Sequence, residues 1–495
     1  MSTNILLLTN RDSDNTGDQV IELCDIALIH AVMKNLGISK KDYKITSRAA
    51  GFITQQYLST RNPELLKGPE EQIKKSDIVI FGGAPLFNYK YQNFYERTAI
   101  TVDFAQKYQK PVIFSAIGIE HYDEKNAKCQ RLKKSLNQDC VRQITTRDGM
   151  DLLEKFRENP DIKIGKVSDP ALYASKVFEN FKTEKNGNKK KKIGLFILRA
   201  TGFTNNNVKF SQEQAANLWV DLVHDLKEKG YDYELITNGH FGDEAFMDHL
   251  VRKYGIDEKK CVFNVNDPET LIGHLTSYDG VVTCRLHPSI ISFSFKIPSV
   301  GLVWNPKVKG FYESVGYEDR MIYTEGISAK LVLEKLEQAM EEGVAHDKEY
   351  LISVYQTLFD AMKGILKPEG DQTESYTYEE LLENLVPFEG TSEVEKQEKL
   401  KRKFRRIYKK YNTLTLWNRI YRVAKKMVKL GIALLLLILL CFGVYKFTHG
   451  SVPEECELVP EIVMENGDTN ELSEETDPVV DLENEDPEEL RDSEI

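Results

Sequence analysis

Residues 280–289 read GVVTCRLHPS. Gly280–Thr283 is a short apolar, β-branched run between Asp279 and Arg285, which predicts a buried strand. Pro288 suits the first turn of a helix, so a helix over 289–295 is predicted to follow. The same strand-then-helix unit recurs on both sides. Downstream of the charged stretch KTEKNGNKKKK (182–192), strands are predicted at Ile193–Leu198, Tyr233–Thr237, Cys261–Asn264, Gly280–Thr283 and Ser299–Val303. Helical patterns at 211–229, 242–254, 268–277 and 289–295 fall between them. Upstream, Asn4–Leu8, Asp77–Phe81 and Pro111–Ala116 read as strands with helices after each, for example Gln19–Leu36. Strands alternating with helices imply parallel sheets covered on both faces. The predicted fold is α/β: two doubly wound domains, 1–181 and 193–330, joined by the linker 182–192, with a cleft between them. A helical segment, 331–390, is expected to pack back across both.

A chain of 495 residues has room for about three domains. Its 41% hydrophobic and 29% charged content is that of ordinary globular protein. The net charge of −11 hides a division. Residues 451–495 carry 18 acidic residues against the single Arg491, so the rest of the chain is net positive and the acidity says nothing about substrate. Seven cysteines without a CxxC pair argue against a disulfide scaffold or a structural zinc site. The start, MSTNILLLTNRDSDNTGD, lacks a basic n-region and reads as a first strand rather than a signal peptide.

Leu430 to Tyr445, LGIALLLLILLCFGVY, holds no charge. Counted from Met427 to Phe447 the run rises about 31 Å if Lys429 and Lys446 snorkel, which predicts a transmembrane helix over 430–447. Residues 396–429 carry 14 Lys/Arg. The positive-inside rule therefore places the folded domains in the cytoplasm and the tail outside, in a single-pass cell-membrane protein. The stretch 391–429 is expected as a basic juxtamembrane helix on the anionic inner leaflet. The tail, 448–495, is acidic and aromatic-free and is expected to be disordered.

In doubly wound sheets ligands sit beyond the carboxyl ends of strands. After the first strand comes Asn15-Thr16-Gly17-Asp18, a helix start that caps the helix or meets a ligand. Gly82-Gly83 ends the Asp77–Phe81 strand and allows close backbone approach. Neither is a GxGxxG or P-loop pattern, so nucleotide binding is not indicated. Arg199 ends a buried strand and calls for an acidic partner or an anionic ligand. Strand alternation puts Arg285 and His287 on one side, with Leu286 away: a permanent cation beside a group that moves a proton near neutral pH. Lys307 and Lys309 follow the next strand and add cations near the same edge. The nine histidines show no HxH or HExxH spacing, so no catalytic metal is expected.

Six pieces, in order over about residues 5–325, resemble the polysaccharide pyruvyl transferase family. They are Asn15-Thr16-Gly17-Asp18, Asp77 to Gly83, Thr146-Arg147-Asp148, Ser168-Asp169-Pro170-Ala171-Leu172, Arg285-Leu286-His287 and the Pro298 to Gly310 segment. The resemblance implies two Rossmann-like domains in a glycosyltransferase-B-like arrangement. It implies transfer of pyruvyl from phosphoenolpyruvate to a sugar diol of a polysaccharide or its lipid-linked precursor, as a cyclic ketal, with no cofactor and no nucleic-acid partner. Arg199, Arg285 and His287 would line the phosphoenolpyruvate site, with His287 as the acid; Asn15, Gly17 and Asp18 would face the cleft from the other domain. Two positions depart from the family pattern: Ala84 stands for a usual third glycine, and Asp151 for a usual serine. A nucleotide-sugar transferase of similar architecture and a non-catalytic glycan-binding scaffold are the alternatives.

Overall fold

The structure, a computed structural model, describes residues 2–90, 93–185 and 190–449. Six strands form a first sheet: β1 (Thr3–Thr9), β2 (Tyr43–Ala49), β3 (Ile78–Phe81), β4 (Val112–Ile117), β5 (Val141–Thr146) and β6 (Lys163–Lys166). Six more form a second: β7 (Lys192–Phe196), β8 (Asp232–Ile236), β9 (Cys261–Val262), β10 (Gly280–Thr283), β11 (Ser299–Leu302) and β12 (Met321–Ile322). The orders are β2-β1-β3-β4-β5-β6 and β12-β11-β10-β7-β8-β9. Every pairing is parallel.

A parallel sheet covered by helices is apolar on both faces. Leu6 and Leu8 join Val79, Phe81, Val112 and Phe114 in one core, while Ile5 and Leu7 join Ile78, Ile80 and Ile113 in another. That second core runs on into the domain built on β7–β12, so the two domains share packed interior.

Four strands lack the continuous apolar run that marks the others in the sequence. β2 and β6 are half-exposed edges, and β12 is two residues long. β5 (VRQITT) is mostly buried, but its interior polar groups are satisfied inside the fold. Gln143 Nε2 donates to Thr357 O (2.9 Å), and Thr146 Oγ1 donates to Ile117 O (2.8 Å).

Helix Ala329–Glu342 packs on β10 and β11, and the chain then returns to the first domain. There helix Lys348–Leu366 lies against β4, β5 and helix Thr16–Asn35. Ser168 Oγ and Tyr173 OH donate to Leu351 O at 2.7 and 2.8 Å, and Asn35 Nδ2 donates to Tyr355 OH at 2.7 Å.

The chain divides into two compact units, one up to Lys403 and one from Phe404. Helix Glu393–His449 supplies the end of the first and the described part of the second. Residues 393–403 do not lie free as a leaflet-bound helix; they pack on both α/β domains. Lys399 Nζ donates to Gln19 Oε1 (2.9 Å), Arg402 meets Asp12 (3.2 Å), and Lys403 is buried between Glu244 Oε1 and Asn266 Oδ1, 2.9 Å from each.

In the second unit the apolar side chains from Leu430 to Leu440 are exposed. Among the described residues no helix is long and apolar enough to cross a membrane. This corrects the expectation of a complete transmembrane span over 430–447. The described side chains give an uninterrupted run only over Leu430–Cys441, about 18 Å of rise against a ~30 Å hydrocarbon core. The side chains of 442–444 and 446–447, on which the longer span depended, lie outside the described residues, as does the acidic tail from 450.

Candidate active site

Each sheet has one place where neighbouring strands send their connections to opposite faces, and such switch points open a crevice at the strands' carboxyl ends. In the first sheet it lies between β1 and β3, whose ends are level at Leu8 and Phe81. In the second it lies between β7 and β10, level at Phe196 and Thr283. The candidate residues after β1, β3, β7 and β10 therefore gather at two crevices.

The crevices are joined at the start of helix Thr16–Asn35. Asn15 caps this helix, its side chain accepting from Gly17 N at 3.0 Å. Thr16 donates to Asn238 O, beyond β8, through both N and Oγ1 (2.9 Å each), and Asn238 Nδ2 donates to Asn15 Oδ1 (2.7 Å). His287 lies against this helix start, with Nδ1 3.3 Å from Asn15 Oδ1 and Nε2 3.7 Å from Asp18 Oδ1. Gly17 makes the approach possible: a Cβ there would stand 2.3 Å from the imidazole ring.

Arg285 and His287 do not share a strand face. Arg285 is the N-cap of helix Leu286–Ser294, and His287 lies in its first turn, so helical rather than alternating geometry brings both inward. Both are buried. Asp243, fully buried in the first turn of helix Phe241–Tyr254, holds the arginines from both strands. Its Oδ1 accepts from Arg199 N and Nη1 (3.1 Å each), and its Oδ2 from Arg285 Nε (3.0 Å) and Nη2 (2.5 Å). Trp304 lies 5.7 Å from the Arg285 guanidinium, a cation–π distance. Two guanidiniums thus converge on one buried carboxylate, which orients them at the end of β7 and β10.

Electrostatics separates the two titratable groups. Burial pushes Asp18 up to about 6, against the opposing pull of Arg147 and hydrogen bonds from Ser13 and Asn10. Burial holds His287 well below its ordinary value, with Arg147, Lys307, Arg285 and His240 adding repulsion. His287 Nε2 is buried and makes no hydrogen bond.

The remaining candidates have partners of their own, and Lys307 alone of them acts on the buried pair, through its charge. Gly82 and Gly83 pack against the first helix: a Cβ on Gly82 would come within 2.2 Å of Asp25 Oδ2, and Gly83 N donates to that oxygen at 3.1 Å. Lys307 pairs across the domains with Glu120. Lys309 is exposed and faces Glu313 on its own helix (3.6 Å), apart from the buried set.

Sequence reasoning missed Asp243, Asn238 and the buried pair of Arg147 with Asp169 (2.5 Å). Arg147 and Asp169 each follow a strand or its loop within motifs that carried the resemblance, which was the available signal. Asp243 sits in HFGDEA with no motif around it.

The family described as Polysaccharide pyruvyl transferase matches residues 14–306, more than half of the chain. The chain belongs to the polysaccharide pyruvyl transferase family. The match runs from the cap of the first helix to just past Trp304, so it contains every residue of the buried set. No curated protein sequence matches the chain. Among solved structures, a protein described as a UDP-N-acetylglucosamine 2-epimerase from Listeria monocytogenes is similar at 12% identity and TM-score 0.50, over 76% of this chain and 100% of that one. A UDP-GlcNAc 2-epimerase from Methanocaldococcus jannaschii is 16% identical over 74% of this chain and 100% of its own, with TM-score 0.44. At 12% identity the likeness to the Listeria protein is one of fold alone, two parallel-sheet α/β domains.

Proposed function

We propose that this family member transfers a pyruvyl group from phosphoenolpyruvate to two hydroxyls of a cell-surface glycan or its lipid-linked precursor, closing a cyclic ketal. The observation that carries the reading is the trio of Arg199, Arg285 and Asp243 at the switch point of the second sheet, beside the buried imidazole of His287. Phosphoenolpyruvate presents a phosphate and a carboxylate, which guanidinium forks bind in pairs. Asp243 fixes the forks in advance, so positive charge stands ready where the leaving phosphate develops charge. Protonation of the methylene carbon, with His287 as the group that hands over the proton, makes the adjacent carbon electrophilic. A first sugar hydroxyl adds there, phosphate leaves, and a second hydroxyl closes the ring. The reading needs no cofactor beyond the donor.

The exposed apolar side chains after Leu430 and the basic stretch before them support attachment to an anionic membrane surface. An acceptor carried on a lipid would then meet the enzyme at high effective concentration.

The test is phosphate release by the full-length protein in detergent, with phosphoenolpyruvate and a panel of lipid-linked sugars. Calorimetry with phosphoenolpyruvate and with a nucleoside diphosphate separates this reading from a nucleotide-sugar transferase. Binding of the nucleotide alone, or no phosphate release with any sugar, would count against pyruvyl transfer.

A further inference from the structure

His287 is the acid of the pyruvyl-transfer reading, yet its surroundings give it no proton to donate from the nitrogen beside Asp18. Asn15 Oδ1 already accepts from Gly17 N and Asn238 Nδ2, which identifies that atom as oxygen rather than amide nitrogen. Nδ1 of His287, 3.3 Å away, therefore carries the hydrogen, since a bare nitrogen there would face an acceptor. In a neutral imidazole that leaves Nε2 with a lone pair. Nε2 lies 3.7 Å from Asp18 Oδ1 and has no other partner.

An imidazolium–carboxylate ion pair does not fit the arrangement. Charge-assisted hydrogen bonds contract to about 2.7–2.9 Å. Arg147 after β5, Arg285 before its own helix and Lys307 on helix Pro306–Ser314 oppose a further cation on the imidazole, as does His240 whenever it is protonated, and the one carboxyl facing Nε2 among the described residues is that of Asp18. Asp18 is buried, and its second oxygen accepts from Asn10 Nδ2 at 2.8 Å. Its other neighbours, Ser13, Arg147 and Lys307, are outweighed by burial, which favours the neutral acid.

We propose that Asp18 is the proton store of the reaction: it loads His287 at Nε2, so that the first domain supplies the proton and the second delivers it. The proposal rests on the pyruvyl-transfer reading and assigns the source of its proton. The Asp18 O–H bond breaks as Nε2–H forms, once the anionic donor has raised the proton affinity of the imidazole and the two atoms have closed from 3.7 Å to hydrogen-bond reach. Nε2–H then breaks as the carbon–hydrogen bond forms at the donor's methylene carbon, with the double bond supplying the electron pair. The first sugar hydroxyl adds to the neighbouring carbon, and its proton returns through Nε2 to Asp18. The carbon–oxygen bond to phosphate breaks with its electron pair leaving on phosphate. The second hydroxyl closes the ketal and gives its proton to that phosphate. Because Asp18 and His287 come from different domains, the relay exists only when the two domains are closed on each other at Asn15, Thr16 and Asn238.

The experiment compares full-length wild type with Asp18→Asn. Phosphoenolpyruvate binding is read by calorimetry, and turnover is read by phosphate release with whichever sugar of the panel supports it. The expected result is a turnover lower by ~10²–10⁴ in Asp18→Asn, with donor affinity changed by less than about threefold. Wild-type kcat/KM should fall as pH rises past about 6, and this limb should be missing in the variant. Turnover within a few fold of wild type, or an unchanged pH limb, overturns the relay. A wild type that neither binds phosphoenolpyruvate nor releases phosphate overturns the pyruvyl reading and the relay with it. Nitrogen-15 NMR of the wild-type histidines checks the proton placement without any variant: His287 should carry hydrogen on Nδ1 and a bare Nε2 at pH 7. The opposite tautomer overturns the proposal even if Asp18→Asn fails to fold.

Discussion

Replacing Gly17 by alanine tests the geometry of the domain boundary with one methyl group. Two effects oppose each other in Gly17→Ala. Alanine is the better helix former by about 1 kcal/mol in a helix interior, and by less in the first turn, where Gly17 lies. Against this, the new Cβ would stand 2.3 Å from three atoms of the His287 side chain. An ordinary carbon contact is about 3.7 Å, so the imidazole has to retreat by roughly 1.4 Å. Overpacking of this kind costs about 1–3 kcal/mol. The net expectation is a destabilisation of about 1 kcal/mol. The effect on chemistry should be larger, because a displacement of about 1 Å at a reacting group costs on the order of a hundredfold in rate. Gly310→Ala is the matched control: it also lies in a helix, and a Cβ there meets nothing within 4 Å. That variant should gain about 0.5–1 kcal/mol and keep its turnover. Urea unfolding and phosphate release on the two variants make the comparison. Wild-type turnover in Gly17→Ala would refute the placement of His287 against the first helix.

Asp243→Asn should destabilise the protein by about 3 kcal/mol, because the amide leaves two buried guanidiniums without their shared anion; an unchanged urea midpoint would show that Asp243 does not hold them. Lys403→Ala should cost about 3 kcal/mol through the buried partner Glu244. A chain ended after residue 390 should melt lower than one ended after 407, and equal melting of the two would mean that residues 393–403 do not hold the domains. For Asp18 the folded pKa, about 6, lies above the unfolded 3.8, so the folded state holds the extra proton and stability is lost as pH rises from about 4 through 6. That displacement corresponds to about 3 kcal/mol at pH 7. Asp18→Asn should therefore be more stable than wild type by up to about 3 kcal/mol above pH 6 and lose the advantage below pH 4; equal stability curves would refute the burial penalty.

The attachment of the C-terminal half of the chain was the least legible part of the sequence. Residues 393–403 belong by composition to the basic stretch that continues to 429, and a run of cations reads as a solvated or membrane-facing helix. Their burial depends on Asp12, Gln19, Glu244 and Asn266, which are far away in the chain and anionic or polar without any pattern. Gly82-Gly83 was equally ambiguous. A glycine pair at a strand end serves a ligand or a neighbouring helix, and its close packing on helix Thr16–Asn35 depends on Asp25, which lies far away in the chain.

Alternating apolar strands and helical patterns determined, from sequence alone, that the chain builds two parallel-sheet domains. Burial of an apolar strand on both faces is a local property of residues such as Ile5–Leu8 and Gly280–Thr283. The placing of Arg199, Arg285, His287, Asn15 and Asp18 after strands was local as well, because strand ends are where such folds open crevices. What the tertiary structure decided is which of these groups meet and in which direction each one's proton affinity moves. Asp243 brings two arginines from separate strands onto one carboxylate. Gly17 admits the imidazole of the other domain to the first helix. Enclosure then moves the pKa of Asp18 up and that of His287 down. Desolvation and Coulomb fields depend on every charge within a few ångströms, whatever its distance along the chain, so no reading of neighbours in sequence contains them.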